Sequence, residues 1–74
     1  MSKLIAELVG RKCIVECEKG YAIFGINKVQ CTILDADNEW IKVSYVENPK
    51  KTEIKTKIIR IEEISRIEVE EKEV

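Results

Sequence analysis

The chain has 74 residues, of which 45% are hydrophobic and 36% are charged, and its formal net charge is −1. This composition excludes an intrinsically disordered chain, and the length predicts one small domain, which we place at residues 1–70. The near-zero net charge excludes the strongly basic surface that is typical of proteins that coat duplex DNA.

The first ten residues predict a short helix. Ser2 is a suitable N-cap, and Gly10 is a suitable end. Between them, Leu4, Ile5 and Leu8 fall at helical spacing on one face. Because two turns of helix are unstable alone, we expect this helix to dock as a lid on one end of the remaining fold.

From residue 11 the hydrophobic pattern changes to a period of two. In "KCIVECE", Cys13, Val15 and Cys17 share one face, which predicts a strand. Cys31 falls in the next predicted strand, so a disulfide or a three-thiolate metal site is the alternative to simple burial. The chain has no histidine, and the spacing of Cys13 and Cys17 differs from that of a zinc knuckle. We therefore interpret the cysteines as free thiols in the core.

Four further strands are predicted at residues 29–34, 40–46, 52–61 and 62–70, the last after a tight turn. The segment "DADNE" predicts a turn, because Asp and Asn side chains bond to their own backbone. In the fourth strand, Ile58 and Ile59 break the alternation, which indicates either burial on both faces or a bulge. A short helix followed by five strands with hairpin-length connections favours a mainly β fold, a strongly bent small β-barrel.

An apolar segment separates the first two predicted strands. It contains Tyr21, Ile23, Phe24 and Ile26. If these side chains are exposed, they form a patch that a protein partner or a second copy of the chain covers. The alternative is that the segment folds back and fills the interior of the barrel. Residues 71–74 follow the last strand, and we expect an acidic, frayed tail there.

The order of these elements resembles the Sm/Lsm-like family of SH3-like small barrels over nearly the whole chain. "LVGRKCIVECEKG" is similar to the opening of that family, and "CTILDADNEW" to its strand that reaches an Asp before a turn. "IIRIEEISRI" is similar to its closing motif. In RNA-binding members the residues of these two loops line a ring pore and hold a base. This chain has Glu39 in place of the family's RNA-contacting Asn, and Ile61 in place of the Gly after the motif's Arg.

Positive charge is concentrated in one predicted loop and in the strand that follows this loop. The phosphate backbone of a nucleic acid could lie along these basic residues. The family resemblance adds one turn residue, Asn38, to these basic residues. The candidate nucleic-acid contacts are Asn38, Lys50, Lys51, Lys55, Lys57 and Arg60. Trp40 and Tyr45 are candidate stacking faces for bases. Trp40 begins an apolar strand, so its alternative is a place in the core or in an interface.

Enzymatic chemistry has little support in the sequence. No histidine is present to act as a general base, and no Gly-rich phosphate loop precedes a helix. We interpret the carboxylates of Asp35, Asp37 and Glu39 as a solvated turn rather than a cation site.

We therefore expect a non-enzymatic binding or assembly module that needs no cofactor. We expect it to self-associate, with single-stranded RNA as the first ligand to test. The alternative is a protein–protein interaction module with no nucleic-acid role. Neither a signal peptide nor a membrane-length apolar stretch is evident, and the odd number of cysteines fits reduced thiols. We therefore expect a cytoplasmic protein with no membrane partner.

Overall fold

A computed structural model of the protein describes residues 3–18, 28–46 and 52–70. These residues form a mainly β fold, in which one short helix precedes a single antiparallel sheet of five strands. The elements are α1 (Lys3–Ala6), β1 (Lys12–Cys17), β2 (Lys28–Ala36), β3 (Trp40–Val46), β4 (Ile54–Arg60) and β5 (Ile64–Val69). A 3₁₀ turn at Ile61–Glu63 joins the last two strands. No helix in these three segments is long and apolar enough to cross a membrane.

The strand order forces the sheet to curl. The order is β4-β3-β2-β1-β5, so the two outermost strands are consecutive in the chain. In a flat sheet their separation would be about 19 Å, because neighbouring strands lie ~4.8 Å apart. A three-residue 3₁₀ turn spans only about 8 Å. The sheet therefore bends until the end of β4 lies near the start of β5. Within the described segments β4 and β5 are not paired, so the sheet is not closed into the predicted barrel.

The core lies on one face of this sheet, as the period-two pattern predicts. Its members are Cys13, Val15, Cys17, Val29, Cys31, Ile33, Ala36, Ile41, Val43, Tyr45 and Ile59. The face prediction is confirmed for β1, where Cys13 and Val15 are fully buried, and for β2, where Ile33 is. Tyr45, predicted as a candidate stacking face, is 6% exposed and belongs to this core instead.

The N-terminal helix is shorter than predicted, and fewer of its apolar side chains pack against the core. It ends at Ala6, and the chain continues through turns to Gly10, whose φ of +87° is a conformation that favours glycine. Ile5 and Leu8 pack against the core, but Leu4 is 75% exposed, so its predicted place on the docking face is wrong. The Gly10 N–H donates to the Ile33 carbonyl, which fixes the helical segment to β2.

In the fourth strand both predictions made from the Ile58–Ile59 pair are wrong. It is regularly paired with β3 from Val46↔Ile54 to Trp40↔Arg60 without a register shift, so the predicted bulge is absent from this pair. Burial on both faces is also wrong, because Ile59 is 3% exposed whereas Ile58 is 60% exposed. Ile58 therefore lies on the outer face of the sheet.

Candidate nucleic-acid interface

A cleft of about 420 Å³ lies where the β2–β3 turn meets the 3₁₀ turn after β4. We call it the turn cleft. It is lined by Asn38, Glu39, Arg60, Ile61 and Glu62. The Ile61 N–H donates a 2.8 Å hydrogen bond to the Glu39 carbonyl, so the two walls are joined through the backbone. The curl of the sheet thus brings together Asn38 and Arg60, two candidates that the sequence separates by 22 residues.

The first wall of the turn cleft is shaped by Asp37. Its Oδ1 accepts hydrogen bonds from the backbone N–H groups of Glu39 and Trp40, each at 2.8 Å. These two bonds favour the ionised carboxylate and lower the pKa of Asp37 below its usual value. The interpretation of Asp37 as a turn-forming residue is therefore confirmed. Asp35 instead lies in β2 opposite Lys42, so it is not part of the turn, and its Oδ1 accepts the Ala36 N–H at 2.9 Å.

The second wall carries a guanidinium that lies over an aromatic ring. The Cζ atom of Arg60 is 5.4 Å from the centroid of the Trp40 ring, because these residues are directly opposite each other on β4 and β3. Nη1 of Arg60 also donates to Oε1 of Glu62 at 3.2 Å. The ion pair is solvent-exposed and contributes at most about 1 kcal/mol to stability. Its effect is to fix the guanidinium plane beside the cleft.

Two polar side chains of the turn cleft have no hydrogen-bond partner within the part of the chain that the structure describes. They are the Asn38 amide and the Glu39 carboxylate; only the backbone groups of Glu39 are bonded. The exposed fraction of the neighbouring Trp40 side chain is 41%. A ligand in the turn cleft would therefore meet an amide, a carboxylate and a stacked guanidinium at its surface.

The lysines of β4 lie on the opposite face from Arg60. Lys57 is opposite buried Val43 and Lys55 is opposite buried Tyr45, so both start from the core side of the sheet. The Nζ atom of Lys57 is 5.9 Å from the centroid of the Tyr45 ring. Lys55 and Lys57 therefore do not share a face with Arg60, so these three candidates are not brought together. The other predicted lysines, Lys50 and Lys51, lie outside the described residues.

The outer face of β2, β3 and β4 carries exposed apolar side chains instead. The residues of this outer strip are Leu34, Trp40, Val46, Ile54 and Ile58. Ile54 is opposite Val46, and Ile58 is opposite Lys42, so the strip follows the open edge of the sheet. The sequence alone does not reveal this strip, because the Lys and Ile residues of β4 are compatible with burial of either face. The predicted partner segment with Tyr21, Ile23, Phe24 and Ile26 lies outside the described residues.

The three thiols are buried on the core side, as predicted. Cys13 and Cys31 are directly opposite each other on β1 and β2, and all three cysteines are free. Burial raises the pKa of Cys13 and Cys17, and it raises the pKa of Cys31 to about 12. In the described segments no three His, Cys, Asp or Glu side chains are arranged to hold a metal ion. We therefore assign the thiols to packing.

The thiols predict an alkaline loss of stability. In the unfolded chain Cys31 releases its proton near pH 9, whereas in the folded chain it keeps the proton up to about pH 12. The free energy of unfolding is therefore unaffected below pH 9 and falls between pH 9 and 12, by about 1.4 kcal/mol for each pH unit. Urea unfolding at pH 8.5 and pH 10.5 measures this change. The Cys31→Ala variant is the control, and an equal loss in that variant would contradict the assignment.

Comparison with protein-family models, with curated proteins and with solved structures finds no match to this chain. The turn cleft, the two edges of the sheet and the outer strip are therefore the features of this chain that indicate a function.

Proposed function

We propose that this protein is a non-enzymatic module that binds single-stranded RNA in the turn cleft. The observation that carries the proposal is the Arg60 guanidinium over the Trp40 ring, beside the Asn38 amide. Single-stranded RNA is bound mainly by stacking of unpaired bases on aromatic rings and guanidinium planes, and by hydrogen bonds to base edges. The turn cleft offers both kinds of contact at one place.

Two further observations support an RNA ligand. Strand β4 carries Lys55, Lys57 and Arg60 and no acidic residue, which gives the strand leading to the cleft a positive charge. A helix followed by five antiparallel strands is also the element order of the Sm-like small barrels, whose RNA-binding members use the loops that correspond to the turn cleft. On this proposal the curled sheet is a strongly bent Sm-like barrel that stays open between the described strands β4 and β5.

The test is the binding of fluorescein-labelled single-stranded RNA, followed by fluorescence anisotropy at 50 and 200 mM salt. We expect salt-dependent binding by the wild-type chain, because phosphate contacts release counterions. We expect Arg60→Ala to weaken binding at least tenfold, since it removes the stacking plane and one cation. Arg66→Ala is the matched control, because Arg66 is a cation of β5 outside the cleft. Equal binding by both variants, or no binding by the wild type, would contradict the proposal.

Self-association is a second function that a specific observation favours. Both outermost strands have one edge without a partner strand among the described residues, and such edges pair readily with other chains. The edges differ in charge. Strand β4 carries three cations, whereas residues 61–70 carry four carboxylates and only Arg66 as a cation. Pairing of β4 with β5 of a second copy brings opposite charges together, whereas pairing of like edges is repulsive.

The outer strip is the basis of the alternative, a protein–protein interaction module. Exposed isoleucines beside an open edge are typical of a surface that a partner covers. A chain that binds no RNA but loses an interaction when Ile54 and Ile58 are both replaced by Ser would favour this alternative.

A further inference from the structure

The chemistry of the turn cleft indicates which base it takes, on the assumption that the proposed RNA function is correct. The Glu39 and Glu62 carboxylates accept hydrogen bonds and donate none, and they repel the anionic oxygens of phosphate. The part of a nucleotide that enters between them is therefore an edge with N–H donors. The Arg60 guanidinium donates to Oε1 of Glu62, whereas no described residue donates to either oxygen of the Glu39 carboxylate, so Glu39 is the carboxylate of the cleft with both oxygens available to a ligand.

The four bases differ in what their Watson–Crick edges offer a carboxylate. Guanine has the N1–H and N2–H donors side by side and can donate two parallel hydrogen bonds to one carboxylate. Uracil has one donor between two carbonyl oxygens, which a carboxylate repels. Adenine and cytosine each place an amino donor beside a ring nitrogen that only accepts. Guanine is therefore the base that fits an unpartnered carboxylate.

We propose that the turn cleft selects guanine, with the Glu39 carboxylate accepting N1–H and N2–H while the ring lies against the Arg60 guanidinium. The backbone of Glu39 is held in place, which positions its carboxylate to accept these two hydrogen bonds. Its N–H donates to Asp37 and its carbonyl accepts from Ile61, so the side chain starts from a backbone that is held on both sides. The Asn38 amide, which both donates and accepts, is available to the guanine O6.

The experiment compares three labelled pentanucleotides with one variable base, AAGAA, AAUAA and AAIAA, where I is inosine. Inosine lacks the 2-amino group and keeps N1–H. We expect the wild-type chain to bind AAGAA at least tenfold more tightly than AAUAA, with AAIAA in between. In Glu39→Gln the carboxamide has one acceptor and one donor, so we expect the guanine preference to fall to less than twofold. Glu53→Gln, which removes one negative charge outside the cleft, is expected to keep the preference.

The possible failures are distinguishable. Binding of all three pentanucleotides with equal affinity would overturn the guanine inference and leave the RNA function standing. A preference for guanine that survives in Glu39→Gln would overturn the assigned role of Glu39. Absence of binding to every pentanucleotide would overturn the RNA function and the guanine inference together.

Discussion

Replacing Ile59 with Ala is expected to lower the free energy of unfolding by about 2–4 kcal/mol, whereas replacing its neighbour Ile58 is expected to cost less than about 1 kcal/mol. The two isoleucines are adjacent on β4 and differ in burial, since Ile59 is 3% exposed and Ile58 is 60% exposed. Ile59→Ala removes methyl and methylene groups from the core beside Ile41, its partner on β3. Ile58→Ala removes groups that are already in contact with water.

This pair of variants isolates burial from strand propensity. Both make the same chemical change in the same regularly paired strand, so the loss of β propensity is similar in each. Urea unfolding followed by far-ultraviolet circular dichroism measures the difference. For a domain of this size a loss of 2–4 kcal/mol is a large part of the total stability, so Ile59→Ala is expected to be partly unfolded at 37 °C. Equal losses in both variants would show that the outer face of β4 is covered.

Reversing the charge of one edge is expected to convert the assembled protein to a monomer. In Lys55→Glu with Lys57→Glu, β4 becomes acidic like the segment that contains β5, so both edges of every copy repel those of every other copy. A head-to-tail contact of this kind closes into a ring or grows into a filament, so the wild type is expected to contain more than two copies. Light scattering and native mass spectrometry measure the change.

A second variant, in which the charge of the other edge is reversed, tests whether opposite charges are what brings the edges together. Glu68→Lys with Glu70→Lys makes both edges basic, so we expect this protein to be monomeric alone. Mixing the two charge-reversed proteins brings acidic edges to basic edges, and assembly is expected to return in a 1:1 ratio. Circular dichroism of each variant confirms that the monomers are folded. A monomeric wild type, or charge-reversed chains that assemble as the wild type does, would exclude edge pairing.

The sequence predicted the first three strands, and the buried faces of the first two, because these strands are buried on one side only. In β1 and β2 the alternation of Cys13, Val15 and Ile33 with polar residues leaves one possible orientation. The same pattern did not predict the buried face of β4, because Ile residues occur on both faces of this strand. The neighbouring residues on β3 determine which face is buried. The helical pattern also wrongly placed Leu4 on the docking face, because a helix of four residues contacts the core through only a small part of its surface.

The turn cleft could be predicted only in part. Asn38 and Arg60 were chosen from the family resemblance and the charge pattern, and the structure brings both into one cleft. The contributions of Glu62 and Ile61 were missed. They depend on the contact between two turns, and that contact follows from the strand order rather than from any local pattern. The clustering of acidic residues around the turn is evident in the sequence, but only the structure shows that no described residue donates a hydrogen bond to the Glu39 carboxylate.

The position of β1 between β2 and β5 has a consequence for how the chain folds. β1 pairs with β2 across as few as 12 residues, from Glu16 to Lys28, but its pairing with β5 spans at least 47 residues, from Cys17 to Ile64. Because closing the longer loop costs more entropy, we expect a hairpin of β1 and β2 to form before β5 attaches. During that interval β1 presents an open edge with apolar side chains on one face. Attachment of β5 is thus the step at which folding competes with aggregation.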